Sequence, residues 1–124
     1  MSTLTFSQSP KIVLGSDNQH FVSAVSTALL KAGFHVETAT NYSHLEELWQ
    51  QLRHDVVLFE VSHPGSVELA TESALRIKRQ DAQQFIAYLA DESLQMSGLT
   101  GDAILSRDTN ILPQALRKAL YERL

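Results

Sequence analysis

From Lys11 onward, short apolar runs alternate with amphipathic stretches along the whole chain, and this alternation limits the fold more than any other feature. Strand-like runs separated by helix-length segments read as βαβ units, which assemble into a parallel sheet covered by helices on both faces. Ile12–Gly15 is the first run. Phe21, Val22, Val25, Ala28 and Leu29 then recur at helical spacing and predict a helix over Gln19–Ala32 that Gly33 terminates. Phe34–Ala39 reads as a second strand. Ser43 followed by Glu46 has the spacing of a capping box, opening a helix predicted to bury Leu45, Leu48, Trp49 and Leu52. Val56–Val61 is apolar at successive positions up to Glu60, as a strand buried on both faces must be, and so takes the centre of the sheet. A helix over Ser66–Arg79, with Leu69, Ala70, Ala74 and Ile77 inward, leads to a continuous apolar strand at Phe85–Ala90. Ala103–Ser106 is the last strand, and Leu112–Leu124 an amphipathic helix with Pro113 tolerated in its first turn. Residues 91–102 leave space only for a fourth helix, around Ser93–Leu99, that is about one turn short.

The 124 residues suffice for one core and not for two. Composition is ordinary, 44% hydrophobic and 19% charged with a net charge of -4, so attraction to phosphate backbones is expected to be weak. Cysteine is absent, which removes disulfides, thiolate nucleophiles and cysteine-based zinc sites and fits a cytoplasmic location. Met1–Pro10 is polar and lacks the charged and apolar regions of a signal peptide. It predicts a flexible arm ahead of a soluble domain spanning 11–124. No stretch approaches the roughly 18 apolar residues of a membrane span.

Right-handed crossovers favour an open α/β/α sandwich, and the commonest five-strand solution has the flavodoxin-like order 2-1-3-4-5. Ligands of such sheets bind outside the carboxyl ends of the strands. The side chains to question there are Ser16-Asp17 after strand one, Glu60 at the end of strand three, Leu89-Ala90-Asp91 at the end of strand four and Ser106-Arg107-Asp108 after strand five. Followed strand by strand from Lys11 to about Leu120, with Pro64-Gly65 a few residues after Glu60, the chain resembles a response-regulator receiver (CheY-like) domain. The resemblance rests on order and spacing more than on retained motifs.

That resemblance implies a degenerate receiver. The phosphoacceptor aspartate of the family aligns with Glu60, whose extra methylene displaces the carboxylate by about one carbon–carbon bond, enough to spoil an attack that depends on positioning. Of the acidic pair that holds magnesium in the family, the first aligns with Ser16 and only Asp17 survives, so Mg2+ binding at Asp17 and Glu60 is expected to be weak at most. The hydroxyl residue that contacts the phosphoryl group aligns with Leu89, which has no donor. The lysine after strand five aligns with Arg107, the following proline with Asp108, and the aromatic switch position with Ile104. Arginine matches a carboxylate bidentately, so a fixed Glu60–Arg107 pair is expected to fill the pocket. Glutamate as an imitation of phosphorylated aspartate is a weaker alternative, because Leu89 and Ile104 remove the parts that would read it.

Other chemistry has less support. The histidines at 20, 35, 44, 54 and 63 lack the i,i+4 spacing of a zinc motif and are expected at the surface or at caps, with His63 near enough to Glu60 for a contact. Gly98-Leu99-Thr100-Gly101 lacks the lysine and spacing of a phosphate loop, and Gly-x-Ser-x-Gly is absent. No enzyme and no cofactor is predicted. The expectation is a phosphorylation-independent pseudo-receiver, the amino-terminal domain of a longer signalling protein. It would act by protein interaction or dimerisation through the family's face of fourth helix, fifth strand and final helix. Leu112, Leu116, Arg117 and Tyr121 are the candidate contacts, with Arg76, Lys78 and Arg79 weaker ones, although Leu112, Leu116, Ala119 and Leu120 on one side of the last helix read most simply as core packing. The alternatives are a phosphoacceptor using Asp17 or Asp91 instead, and a nucleotide binder at the acidic crevice.

Overall fold

The computed structural model describes residues 9–16, 18–91 and 101–123. Five strands, β1 (Lys11–Gly15), β2 (His35–Ala39), β3 (Val56–Val61), β4 (Phe85–Ala90) and β5 (Ala103–Leu105), form one parallel sheet in the order β2-β1-β3-β4-β5. Four helices are described: α1 (Gln19–Lys31), α2 (Tyr42–Leu52), α3 (Pro64–Gln80) and α4 (Leu112–Arg123). This is the predicted sandwich. The predicted helix at Ser93–Leu99 and the arm up to residue 8 lie outside the described residues.

Strand alternation sorts the core into two layers. Val13, Val57, Phe59, Val61, Ile86 and Tyr88 point to one face, under Leu45 and Trp49 of α2 and Ala70, Ala74 and Ile77 of α3. Ile12, Leu14, Val56, Leu58, Ala87 and Leu89 point to the other, under Val22, Val25 and Leu29 of α1 and Leu112, Leu116 and Leu120 of α4. Glu60 has the parity of Val56 and Leu58, which directs it to the α1–α4 side. Both faces of β3 are sealed, so every residue of that strand is buried.

Local signals place the ends with some corrections. Gly33 takes φ of 98° after α1, a left-handed turn that glycine adopts without penalty. The cap of α2 is Asn41, not Ser43: its side chain accepts from the His44 amide at 2.8 Å, and with the helix starting at Tyr42, Glu46 is too far along to reach back. Glu46 instead faces α3, accepting from Arg76 Nε at 3.0 Å and from Ser73. Leu69 and Leu52 were expected inside and are 57% and 59% exposed. α3 begins at Pro64 and turns Ser66, Val67, Ala70, Ser73, Ala74 and Ile77 inward, leaving Leu69 outside that stripe. Leu52 is the last residue of α2, just before Arg53 turns left-handed. His54, expected at the surface or a cap, is 3% exposed, with Nε2 2.8 Å from Glu37 Oε1.

Candidate functional site

At the carboxyl end of β3 the Glu60 carboxylate has no exposed surface. A buried carboxylate is tolerable only when it is neutralised or fully hydrogen-bonded, and three side chains supply this. Ser16, directly after β1, donates its hydroxyl to Oε1. Ser62 lies two residues beyond Glu60 and places its Oγ 2.9 Å from Oε1 and 2.8 Å from Oε2. Arg107, two residues past β5, sets Nη2 3.0 Å from Oε2. Tyr42, the first residue of α2, donates to the Glu60 carbonyl at 2.7 Å and fixes the backbone from the opposite face.

Arg107 is held on its own far side. Its Nη1 is 3.1 Å from Asp91 Oδ2, just past β4, and its guanidinium carbon is 4.2 Å from the centre of the Phe21 ring on α1. One guanidinium therefore ties the ends of β3 and β4 to α1. Arg107 Nε is buried and has no hydrogen-bond partner among the described residues. Ser16 is itself positioned by the Asn18 amide, which donates to its Oγ at 2.8 Å.

The remaining sequence-picked residues fall as follows. Leu89 pairs with Glu60 in the sheet register and is fully buried, so the position opposite the carboxylate offers only hydrocarbon. Ile104 is half-buried and packs against the α2–α3 layer, away from Glu60. Asp108 shapes the turn into α4: its carboxylate accepts from the Asn110 amide at 2.9 Å and its carbonyl accepts from Ile111 and Leu112. Asp17 lies outside the described residues. His63 precedes α3 as its cap residue, with Nε2 3.1 Å from Ser66 Oγ.

Sequence reasoning missed Ser62, Phe21 and Tyr42. Ser62 was discoverable, since residues i and i+2 of a strand share a face. Phe21 and Tyr42 carried no such signal.

The proposed interaction face needs correction. Leu112 and Leu116 are fully buried in the α1–α4 layer, because the apolar stripe of α4 is the stripe that covers the sheet. Arg117 donates to the Ala32 carbonyl and lies 5.0 Å from the Phe34 ring centre. Tyr121, 77% exposed, is the one of the four whose side chain faces solvent freely. Arg76 and Lys78 are engaged within the fold, with Glu46 and Asp102 respectively.

No protein-family model and no curated protein sequence matches the chain. Solved structures do match in shape. A response regulator from Thermotoga maritima superposes with a TM-score of 0.75 at 19% identity, covering 91% of this chain and 98% of that one. The chemotaxis protein CheY4 of Vibrio cholerae gives 0.69 at 25% identity, covering 94% and 99%. The response regulator TrrA of Thermotoga maritima, solved in complex with Mg(2+)-BeF, gives 0.73 at 18% identity, covering 93% and 99%. The chain thus has the fold of CheY-like receiver domains. The Glu60 carboxylate is already occupied by side chains of the fold. Both carboxylate oxygens are claimed and a guanidinium already faces them, and among the described residues no three His, Asp or Glu side chains gather to hold a metal.

Proposed function

We propose that this domain is a phosphorylation-independent pseudo-receiver, a protein-interaction and dimerisation module of bacterial signal transduction that works without catalysis of its own. The observation that carries the reading is the sealed state of Glu60. An attacking carboxylate must present a free oxygen in line with the phosphoryl group, whereas Glu60 is wholly buried and bound by Ser16, Ser62 and Arg107. Leu89 adds that no hydroxyl stands ready at the end of β4. With the pocket closed, signalling has to pass through outer surfaces, to a partner or to an output domain of the same protein. The exposed Tyr121 and Ile111, 77% and 51% accessible on and beside α4, mark the surface where docking or self-association is best sought. Among the described residues no helix is long and apolar enough to cross a membrane.

Incubation with acetyl phosphate and Mg2+ is expected to leave the mass unchanged, while sedimentation is expected to show a dimer that Tyr121→Glu dissociates. A phosphoryl adduct would overturn the reading, and mapping it to Asp91, 56% exposed, would favour a substitute phosphoacceptor. A strictly monomeric chain without any captured partner would remove the interaction role.

A further inference from the structure

The contacts that pin Arg107 come from three separate elements: Glu60 in β3, Asp91 just past β4 and Phe21 in α1. A guanidinium that touches two carboxylates at once does the electrostatic work of a bridging cation, with directional N–H donors in place of exchangeable coordination. We propose that Arg107 is the resident cation of this pocket, standing between Glu60 and Asp91 and excluding a divalent ion from the Glu60 carboxylate while it is seated. The inference rests on the reading of the pocket as one that takes no phosphoryl group, and adds the identity of the charge that closes it.

The exclusion is physical on three counts. Glu60 is buried, so its charge needs a permanent partner and Arg107 cannot leave without a replacement. The Ser16 and Ser62 hydroxyls donate to the carboxylate, so an ion approaching Oε1 meets both hydroxyls and one approaching Oε2 meets Ser62 beside the guanidinium. An ion entering beside the guanidinium would place like charges together in a small pocket of low dielectric, where repulsion is strong. Ion and arginine are therefore competitors for the same carboxylate. Phe21 biases the competition: stacking against its ring keeps the guanidinium seated even when the exposed Asp91 exchanges with water.

The test is a Mg2+ titration of the whole domain and of Arg107→Met, a change that keeps an apolar stem against Phe21 and removes the charge. Backbone NMR shifts of Ser16, Val61 and Ser62 report local binding, and the urea midpoint reports stability. The wild type is expected to show neither shift nor stabilisation at millimolar Mg2+. Arg107→Met is expected to be less stable and to recover with Mg2+, binding it on the order of tenfold more tightly or better, the ordinary size of a coupling between competing ligands. Arg107→Met/Glu60→Gln is expected not to respond. Mg2+-induced shifts at Ser16 and Ser62 in the wild type would overturn the inference. So would an Arg107→Met that is indifferent to Mg2+, whether folded or not. A phosphoryl adduct on the wild type strikes the reading under Proposed function, whereas a silent wild type with an indifferent Arg107→Met strikes this inference alone.

Discussion

At the carboxyl end of β3 a full negative charge is buried inside a ring of donors; at the amino end of the neighbouring β4 a neutral amide carries the buried polar contacts. Gln84, 6% exposed, accepts from Trp49 Nε1 at 2.8 Å and donates to the Asp55 and Phe85 carbonyls at 3.1 Å each. Both clusters are held by several hydrogen bonds, but they differ in what remains when one partner is lost. Removing Arg107 strands a charge, while removing Gln84 takes one hydrogen bond each from an indole N–H and two carbonyls. The carboxyl end is thus built around one compensated ion and the amino end around dipoles, so mutational sensitivity should be uneven along the same sheet.

The largest expected effect is that of Arg107→Met, a loss of about 3–5 kcal/mol by urea denaturation, because an uncompensated charge stays behind. Adding Glu60→Gln should return most of that loss. Gln84→Ala should cost about 1–3 kcal/mol, the penalty of buried groups left unpaired. If Gln84→Ala proves the costlier of the two, the contrast between the ends is wrong.

Tyr88 lies between the ends and probes the interior itself. Burial pushes its hydroxyl up to about 12, a weak opposing pull coming from Thr71 and a further push from Asp102. A phenol neutral in the folded chain and ionising near pH 10 when unfolded stabilises fully below pH 10. That contribution disappears as the pH rises from there to about 12. Tyrosinate absorbance should accordingly show Tyr88 titrating late, together with unfolding; ionisation near pH 10 in a folded chain would contradict its burial.

The smallest effect belongs to the surface link between α2 and α3. Burial raises the Glu46 carboxyl, but hydrogen bonds from Arg76 and Ser73 together outweigh it and hold the group below its ordinary 4.5. The stabilisation is present above that value and fades as the pH falls through the lower folded one. Since Arg76 is half exposed, Arg76→Ala should cost no more than about 1 kcal/mol at neutral pH. The gap between variant and wild type should narrow in acid, where a widening gap would show the link to be something other than this ion pair.

The legible part of the fold was its centre. β3 and β4 are continuous apolar runs sealed on both faces, so composition alone marks their ends, and the Glu60–Arg107 contact followed from the resemblance, which sets Arg107 at the position of the family's lysine. Helix phase was less legible: Asn41 and Ser43 both qualify as caps, and only the choice between them decides whether Glu46 serves its own helix or α3. Leu69 looked like core because it is leucine, yet a start at Pro64 turns it outward. Leu112 and Leu116 were assigned to an outer surface through the resemblance, although their spacing with Leu120 already marks them as interior. His54 and Gln84 gave no sign of burial, because their partners Glu37 and Trp49 are distant in sequence and meet only once the sheet has formed.

β5 has only three residues, and Asp102 extends its pairing just before it starts. Its carboxylate accepts from the Ile86 amide at 2.8 Å, its own amide donates to the Ile86 carbonyl at 2.8 Å, and Lys78 closes on the same oxygen at 3.0 Å. A rim this short, finished by an ion pair, gives an incoming strand little backbone to grip. That border of the sheet is therefore a poor template for the edge-to-edge pairing by which sheets grow into fibres.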